Sequence, residues 1–342
     1  MISEDDLAIV HALQVNPRAA WREVGDAVGL SAETSARRWE ALREAGLAWI
    51  TPAPGPRYLA GGASAFVFAS VTSSHDRLLE RLVANPACGT VSIVAGSSDV
   101  LADCFAPDRN ALAESLITTF RDLPGIGAHD VFLVTKLYRQ SVEWREDALD
   151  PGQVRSLTPG QGAGTAYWPD AVDAAIVQAL AADGRAAWAE IAEALRISPQ
   201  TVRRRTDRLI DSGLLAFRCD VSDPDAHPGQ QEATLVLDVP PSQLDAVARH
   251  CAALPECRVS AQVFGRGNLL ITLRLRELLR IHTLEEAIER SAPGTRIVSR
   301  HTVLRSVKRM GRLLSSHGRA TGFVALPFWS GNDSPRIPGA TR

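Results

Sequence analysis

Residues 198–209 read SPQTVRRRTDRL, with three consecutive arginines shortly after a Ser-Pro pair. Guanidinium groups at that density do two kinds of chemistry. They hydrogen-bond guanine edges in pairs, or they neutralise phosphate. The spacing decides which face they occupy. In a helix, Val202, Thr206, Leu209 and Ile210 fall at i, i+4, i+7 and i+8 and turn toward a core. Gln200, Arg203, Arg204, Asp207 and Arg208 then point to solvent. Arg205 lies at the edge, where it either joins the exposed row or braces the second helix through a salt bridge. Ser198 is a good N-cap, Pro199 suits the first helical position, and Ser212-Gly213 supplies a stop. The plain alternative is a solvated face with i,i+4 ion pairs.

Two shorter helical signals precede this one. Ile176, Ala179 and Leu180 share one face, and Ile191 and Leu195 share another. Three short helices, the last two joined by a tight turn, make a helix-turn-helix. In that motif the exposed face of the third helix enters the major groove, and side chains near its N-terminus reach base edges. Candidate contacts are therefore Ser198, Gln200, Thr201, Arg203, Arg204, Arg205 and Arg208.

The unit occurs twice. The 42 residues from Asp6 align without a gap to those from Asp173, with 19 identities. The first copy offers Ser31, Thr34, Arg37 and Arg38 as the matching contacts. It is electrically weaker. Residues 31–43 carry three arginines against two glutamates, whereas residues 198–210 carry four against Asp207. Since phosphate neutralisation supplies much of DNA affinity, the second domain is expected to bind DNA more strongly. Trp39 stands on the buried stripe opposite Thr206, and Trp21 and Trp188 open the second helices as apolar anchors.

The repeat continues beyond the helices. FVFASV at Phe66 matches LVLDVP at Leu235 when the shift grows by two residues, and Gly96, Asp99 and Pro124-Gly125 fall on Gly265, Asn268 and Pro293-Gly294. Each half then reads strand, helix, strand, strand, helix, strand, which is the ferredoxin-like order. The fold class is thus α+β, with two helix-turn-helix domains alternating with two ferredoxin-like βαββαβ domains. The expected boundaries are 1–60, 61–146, a Gly/Pro-rich linker over 147–168, 169–222, 223–312 and a loose tail over 313–342.

Composition fits a cytoplasmic protein. Net charge is −2, so the chain is not globally basic and its positive charge is local. Five scattered cysteines without a CxxC pair point to reduced thiols. There is no signal-peptide pattern and no run near the roughly 18 apolar residues of a membrane helix. His282 and His301 have no partner at metal-ligand spacing, and neither a metal nor a cofactor is expected.

A helix-turn-helix followed by βαββαβ resembles the Lrp/AsnC, or feast/famine, family of transcription regulators. SPQTVRRRTDRLIDSGLL is similar to its recognition helix, and the FGRGN turn and PGT step to its effector domain. The resemblance implies double-stranded DNA as partner, with pairing and sensing of a small, amino-acid-like molecule by the ferredoxin-like domains. The implied effector positions are Gly96, Ser98 and Asp99 in one turn, and Gly265, Gly267 and Asn268 in the other. With both copies in one chain, an intramolecular pseudo-dimer, a homo-oligomer, or both are expected. The Lrp-like sirohaem decarboxylases share the architecture but need a histidine- and aromatic-rich pocket, which GRGNLLITL does not provide. The expectation is a regulator that is not an enzyme, with a decarboxylase or a protein-interaction hub as alternatives.

Overall fold

The computed structural model describes residues 2–72, 76–120, 126–158 and 167–329. The first helical triad is α1 (Glu4–Val15), α2 (Trp21–Val28) and α3 (Ala32–Glu44), followed by β1 (Ala48–Pro54) and the short α4 (Pro56–Gly61). The first βαββαβ unit is β2 (Ala63–Val71), α5 (Asp76–Ala84), β3 (Cys88–Gly96), β4 (Val100–Ala106), α6 (Arg109–Phe120) and β5 (Ile126–Arg139). After α7 (Pro151–Leu157) come α8 (Ala171–Leu180), α9 (Trp188–Leu195), α10 (Pro199–Asp211), β6 (Leu215–Val221) and α11 (Asp223–Ala226). The second unit is β7 (Gln231–Asp238), α12 (Leu244–Ala253), β8 (Cys257–Phe264), β9 (Leu269–Leu275), α13 (Arg280–Ser291) and β10 (Arg296–Arg309). A hairpin, β11 (Arg312–Leu314) and β12 (Ala320–Phe323), follows.

Each ferredoxin-like unit lends its last strand to the other. β5 pairs with its own β2 and with β8, and β10 pairs with its own β7 and with β3. The result is a closed ring, β10-β3-β4-β2-β5-β8-β9-β7 and back to β10. Closure leaves no free edge among these eight strands. Alternation along the strands separates two environments. Ala65, Val67 and Ala69 of β2 pack under α5 and α6, while Phe66 and Phe68 point inward to Phe132, Val236 and Leu270. This interior, drawn from both halves, is the pseudo-dimer core.

The pairing registers correct one detail of the repeat. Ala69 lies opposite Val100 and Leu237 opposite Leu269, so β2 maps onto β7 at a shift of 168, and β4 onto β9 at 169. Matching Phe66 to Leu235 therefore placed an inward residue on an outward one. A one-residue slip exchanges the two faces of a strand, and both faces here are apolar, so the letters alone do not reveal it. The Pro124-Gly125 match lies outside the described residues.

The ends of the two helical domains also interlock. β1 and β6 form an antiparallel ribbon, with Ala48 opposite Val221 and Pro54 opposite Leu215. Pro52 and Pro54 are tolerated because each strand of a two-stranded ribbon keeps an unpaired side. Reciprocal basic side chains cap helices across the halves. Lys308, fully buried, donates from Nζ to the Val83 and Asn85 carbonyls at 2.9 Å each. Arg139 Nη1 does the same at the end of α12, to Ala252 at 2.8 Å and Leu254 at 2.7 Å. A cation at a helix C-terminus both satisfies orphan carbonyls and opposes the helix dipole.

Two segments differ in character from expectation. The segment read as a linker contains α7, because Asp150-Pro151 is a capping pair: Asp150 Oδ1 accepts from the Gly152 and Gln153 amides. Leu149 and Leu157 are buried, and Gln153 Nε2 donates to the Ala27 carbonyl of α2 at 2.8 Å. The tail is not loose up to Trp329. Ala320 donates to the Gly46 carbonyl at 2.8 Å, Tyr58 Oη donates to the Pro327 carbonyl at 3.0 Å, and Leu326, Phe328 and Trp329 are buried. Ser330–Arg342 lie outside the described residues.

Strand exchange gives a direct expectation. Residues 1–158 and 167–342, produced as separate chains in one cell, should co-purify through gel filtration as a one-to-one complex. Independent elution of two folded halves would show that each closes its own sheet.

Candidate nucleic-acid interface

α10 is built as its letters require. Ser198 Oγ accepts the Thr201 amide at 3.1 Å, Pro199 occupies the first turn, and Gly213 (φ 70°) ends the helix in the left-handed region. Val202, Thr206 and Leu209 are buried. Ile210 is 39% exposed, contrary to expectation, because it follows Leu209 round the helix and off the buried stripe. Ser198, Gln200, Arg203, Arg204 and Arg208 are exposed and Thr201 is half-buried. Arg203 makes only a 3.7 Å contact with Asp207, an exposed i,i+4 pair of small energetic value. Arg204 and Arg208 have no partner among the described residues.

Arg205 does something else. Its Nη1 bonds Asp170 at 2.9 Å and the fully buried Asp173 at 3.1 Å. Both acids belong to the start of α8, so the brace runs to the first helix of the triad and not to the second as expected. The same device appears in the first copy. Arg38 binds Asp5 at 2.9 Å and Asp6 at 3.0 Å at the start of α1. Spacing puts both arginines on the helix edge facing helix one, where the acidic N-terminal turn attracts them. Both are therefore committed within their own domains. On α3, Ser31 caps the Thr34 amide at 3.1 Å, Arg43 is tied to Glu40, and Arg37 is exposed without a partner among the described residues. Trp39 is buried in the core.

Sequence reading missed what joins the two domains. The Arg18 guanidinium lies 3.5 Å from the ring centre of Trp188, and Arg185 lies 4.1 Å from that of Trp21. Arg18 also donates to the Gly184 and Ala186 carbonyls, the latter at 3.0 Å. Arg185 donates to the Pro17 and Ala19 carbonyls at 2.8 and 2.9 Å. This exchange is isologous: each copy sends the same arginine to the same loop of the other. It sets the two third helices at a fixed relation. The signal lay in the repeat, since RAAW occurs in both copies, but nothing in one copy says that its arginine serves the other.

The two glycine turns are framed alike. Asp99 Oδ2 accepts the Val71 amide at 2.8 Å, and Asn268 holds both the amide and carbonyl of Val239, at 2.9 and 2.7 Å. These side chains tie the turn to the neighbouring strand. Gly96 has φ 143°, and a Cβ there would stand 2.2 Å from the Arg300 carbonyl. A Cβ on Gly265 would meet the Phe132 ring at 2.6 Å, and one on Gly267 the Leu237 carbonyl at 2.6 Å. Ser98 is half-buried beside them. Across from the first turn, buried His301 stacks on Phe68 with centroids 4.4 Å apart and shares a 3.0 Å hydrogen bond between Nε2 and Ser97 Oγ.

The AsnC-type helix-turn-helix family matches residues 2–43 and 170–210, the two triads just described. Both helical triads thus match one family of helix-turn-helix domains, the AsnC type, and the chain carries two of them. An uncharacterised HTH-type transcriptional regulator of Pyrococcus abyssi is 29% identical over 143 residues, covering 42% of this chain and 89% of that protein. An HTH-type transcriptional regulator of Mycobacterium tuberculosis is 28% identical over 145 residues, covering 41% and 96%. Each such relative thus has the length of one half. The doubled fold also has a solved counterpart. The siroheme decarboxylase NirDL matches 90% of this chain and 93% of its own at a TM-score of 0.54 and 16% identity. Its complex with an iron-uroporphyrin III analogue gives 0.55. This overturns the expectation of a non-enzyme, because the tandem fold of this chain is one that an enzyme uses. At that identity the likeness concerns the fold alone. No helix among the described residues is long and apolar enough to cross a membrane.

His301 provides a pH test of the turn region. Burial lowers its pKa from 6.5 to about 4, so the folded protein keeps it neutral where the unfolded chain takes up a proton. Its contribution to stability is complete above pH 6.5 and is lost as pH falls from 6.5 toward 4. The denaturation midpoint of wild type should drop between pH 7 and pH 5 by more than that of His301→Gln. Parallel curves for the two proteins would refute the assignment.

Proposed function

We propose that the chain is a DNA-binding transcription regulator that presents two unequal reading heads on one pseudo-dimer. The observation that carries this reading is the exposed row of Arg203, Arg204 and Arg208 on α10. It stands beside Ser198, Gln200 and Thr201, on a helix whose opposite face is locked in a core. Guanidiniums without strong partners are available to phosphate and guanine, whereas Arg205 and Arg38 are spent on their own domains. α3 offers Ser31, Thr34 and one cation unpaired among the described residues, Arg37, so it is the weaker head. The names of the relatives as HTH-type transcriptional regulators support this reading.

The reciprocal arginine clamp implies half-sites at one separation, near one helical turn of about 10 bp or a multiple of it. The half-sites should differ in sequence, since Glu33 and Ala36 stand where Gln200 and Arg203 stand. Regulation would come from a small metabolite of amino-acid-like size that binds two arrangements of the heads with different affinity. Asp99 and Asn268 are engaged in holding their turns, so any contribution from that region would come from Gly96, Ser98, Gly265 and Gly267.

The test is binding of the full chain to fragmented genomic DNA across a salt series. Wild type should bind selected fragments with steep salt dependence. Replacing Arg204 and Arg208 by Ala should weaken binding at least tenfold and reduce the salt slope by about 2. Arg37→Ala should reduce it by about 1 at most. Absence of binding by wild type at low salt would end the regulator reading.

A further inference from the structure

The duplication supplies an internal comparison in the sheet beneath α5 and α12. Cys88 of β3 stands opposite Cys104 of β4, and Cys257 of β8 opposite Leu273 of β9. A shift of 169 carries Cys88 to Cys257 and Cys104 to Leu273. It also carries Lys308, which caps α5 at the Val83 and Asn85 carbonyls, to Arg139, which caps α12 at Ala252 and Leu254. At these three positions the second half has a thiol, a leucine and an arginine. The first half has two thiols and a lysine, one of only two lysines in the sequence. Leucine and arginine suffice for the fold, since the second half closes its own strands with them. The thiol pair calls for a chemical reason.

Its geometry is that of a dithiol ready to close. Cys88 and Cys104 lie on one face of the sheet, packed with Leu78, Leu82 and Val91, and their Sγ atoms are 3.6 Å apart. Residues directly opposite in an antiparallel ladder have Cα atoms about 4.5–5.5 Å apart, inside the range that a disulfide spans. Side-chain rotation can bring such sulfurs to the ~2.0 Å of a bond without a change of register.

The two thiols are chemically unequal. The hydrogen bond that Cys88 accepts from Cys104, with the Lys308 charge nearby, holds Cys88 below the ordinary thiol value despite burial. Cys104 is pushed well above it, first by the hydrogen bond it gives and then by burial. Burial lowers Lys308 to about 8, so it is still mostly charged at pH 7. The second half offers nothing comparable. Burial pushes Cys251 and Cys257 up to about 12, and Cys257 Sγ donates to the Val259 carbonyl at 3.3 Å. Both first-half sulfurs are buried, but Cys88 opens β3, and strand ends open locally at less cost than strand centres. Hydrogen peroxide is close to water in size and needs only a small opening.

We propose that Cys88 and Cys104 are an oxidisable pair, with Lys308 as its activating charge, that reduces a hydroperoxide and closes to a disulfide between β3 and β4. The Cys88 thiolate attacks one peroxide oxygen and the O–O bond breaks. The departing oxygen takes the proton that Cys88 gave up and leaves as water, or as an alcohol from an organic hydroperoxide. Cys104 sulfur then attacks the Cys88 sulfenic acid, the S–O bond breaks, and the hydroxyl leaves as water with the Cys104 proton. The two thiols lose two electrons and the hydroperoxide gains them. Lys308 belongs to the strand lent by the second half, just before the turn into the β11–β12 hairpin. That hairpin reaches both helical domains, at the Gly46 carbonyl and at those of Ala181 and Ala182. Any effect on DNA rests on the regulator reading; disulfide formation does not.

The test exposes the folded full chain, free of DNA, to hydrogen peroxide, then alkylates it in denaturant and maps unreduced peptides by mass spectrometry. A single Cys88–Cys104 cross-link is expected, reversed by dithiothreitol, with Cys219, Cys251 and Cys257 still alkylated. Lys308→Met should slow the cross-link at least tenfold. Cys104→Leu, which copies the second half, should form no disulfide and leave a Cys88 sulfenic acid that dimedone traps. It decides the matter if Lys308→Met does not fold. Full alkylation of both cysteines in peroxide-treated wild type would overturn the proposal. So would a cross-link to another cysteine, an undiminished rate in folded Lys308→Met, or folded Cys104→Leu without a dimedone adduct at Cys88. Because DNA is absent, failure here leaves the DNA result untouched, and the converse also holds.

Discussion

The exchange of β5 and β10 between the halves is the constraint on which everything else hangs. A ferredoxin-like sheet has edges, and unpaired edges are liabilities. Here each half covers the other's edge with its own last strand, which closes the ring and creates an interior that belongs to neither half alone. The ribbon of β1 and β6 and the crossed pairs Arg18–Trp188 and Arg185–Trp21 extend the same pseudo-twofold logic outward.

Arginine serves several purposes, and burial sorts them. Arg204 and Arg208 stay in water and remain available. Arg38 and Arg205 neutralise the acidic start of helix one in their own domains. Arg18 and Arg185 sit on tryptophan faces, where a planar guanidinium stacks and donates at once in a way lysine cannot. Arg218 and Arg258 are buried in ion pairs with Asp220 and Glu232. The residue type is constant, and its surroundings set its chemistry.

Duplication with divergence explains the balance of symmetry and asymmetry. Positions that hold the two copies together have kept their partners, as Arg18/Arg185 shows. Positions along the third helices and among the interior arginines have drifted apart, as Ala36/Arg203 and Gly89/Arg258 show. A fused pseudo-dimer can diverge in this way because each half needs only to remain complementary to the other, not identical to it.

The sequence alone was enough to give the doubled unit, the two helical triads, the βαββαβ order and the solvent face of α10. These follow from local rules: periodicity, caps, and a repeat long enough to exclude chance. The α7 cap, Asp150-Pro151, was equally local and was hidden only by the Gly and Pro residues around it. The rest was decided by contacts between distant residues. Strand exchange, the target of Arg205, the one-residue register step between β2 and β7, and the docking of Phe328 and Trp329 all join residues far apart in the chain. Their letters state size, charge and polarity, but not which of several compatible partners lies within reach. That choice is made only when the two halves close on each other.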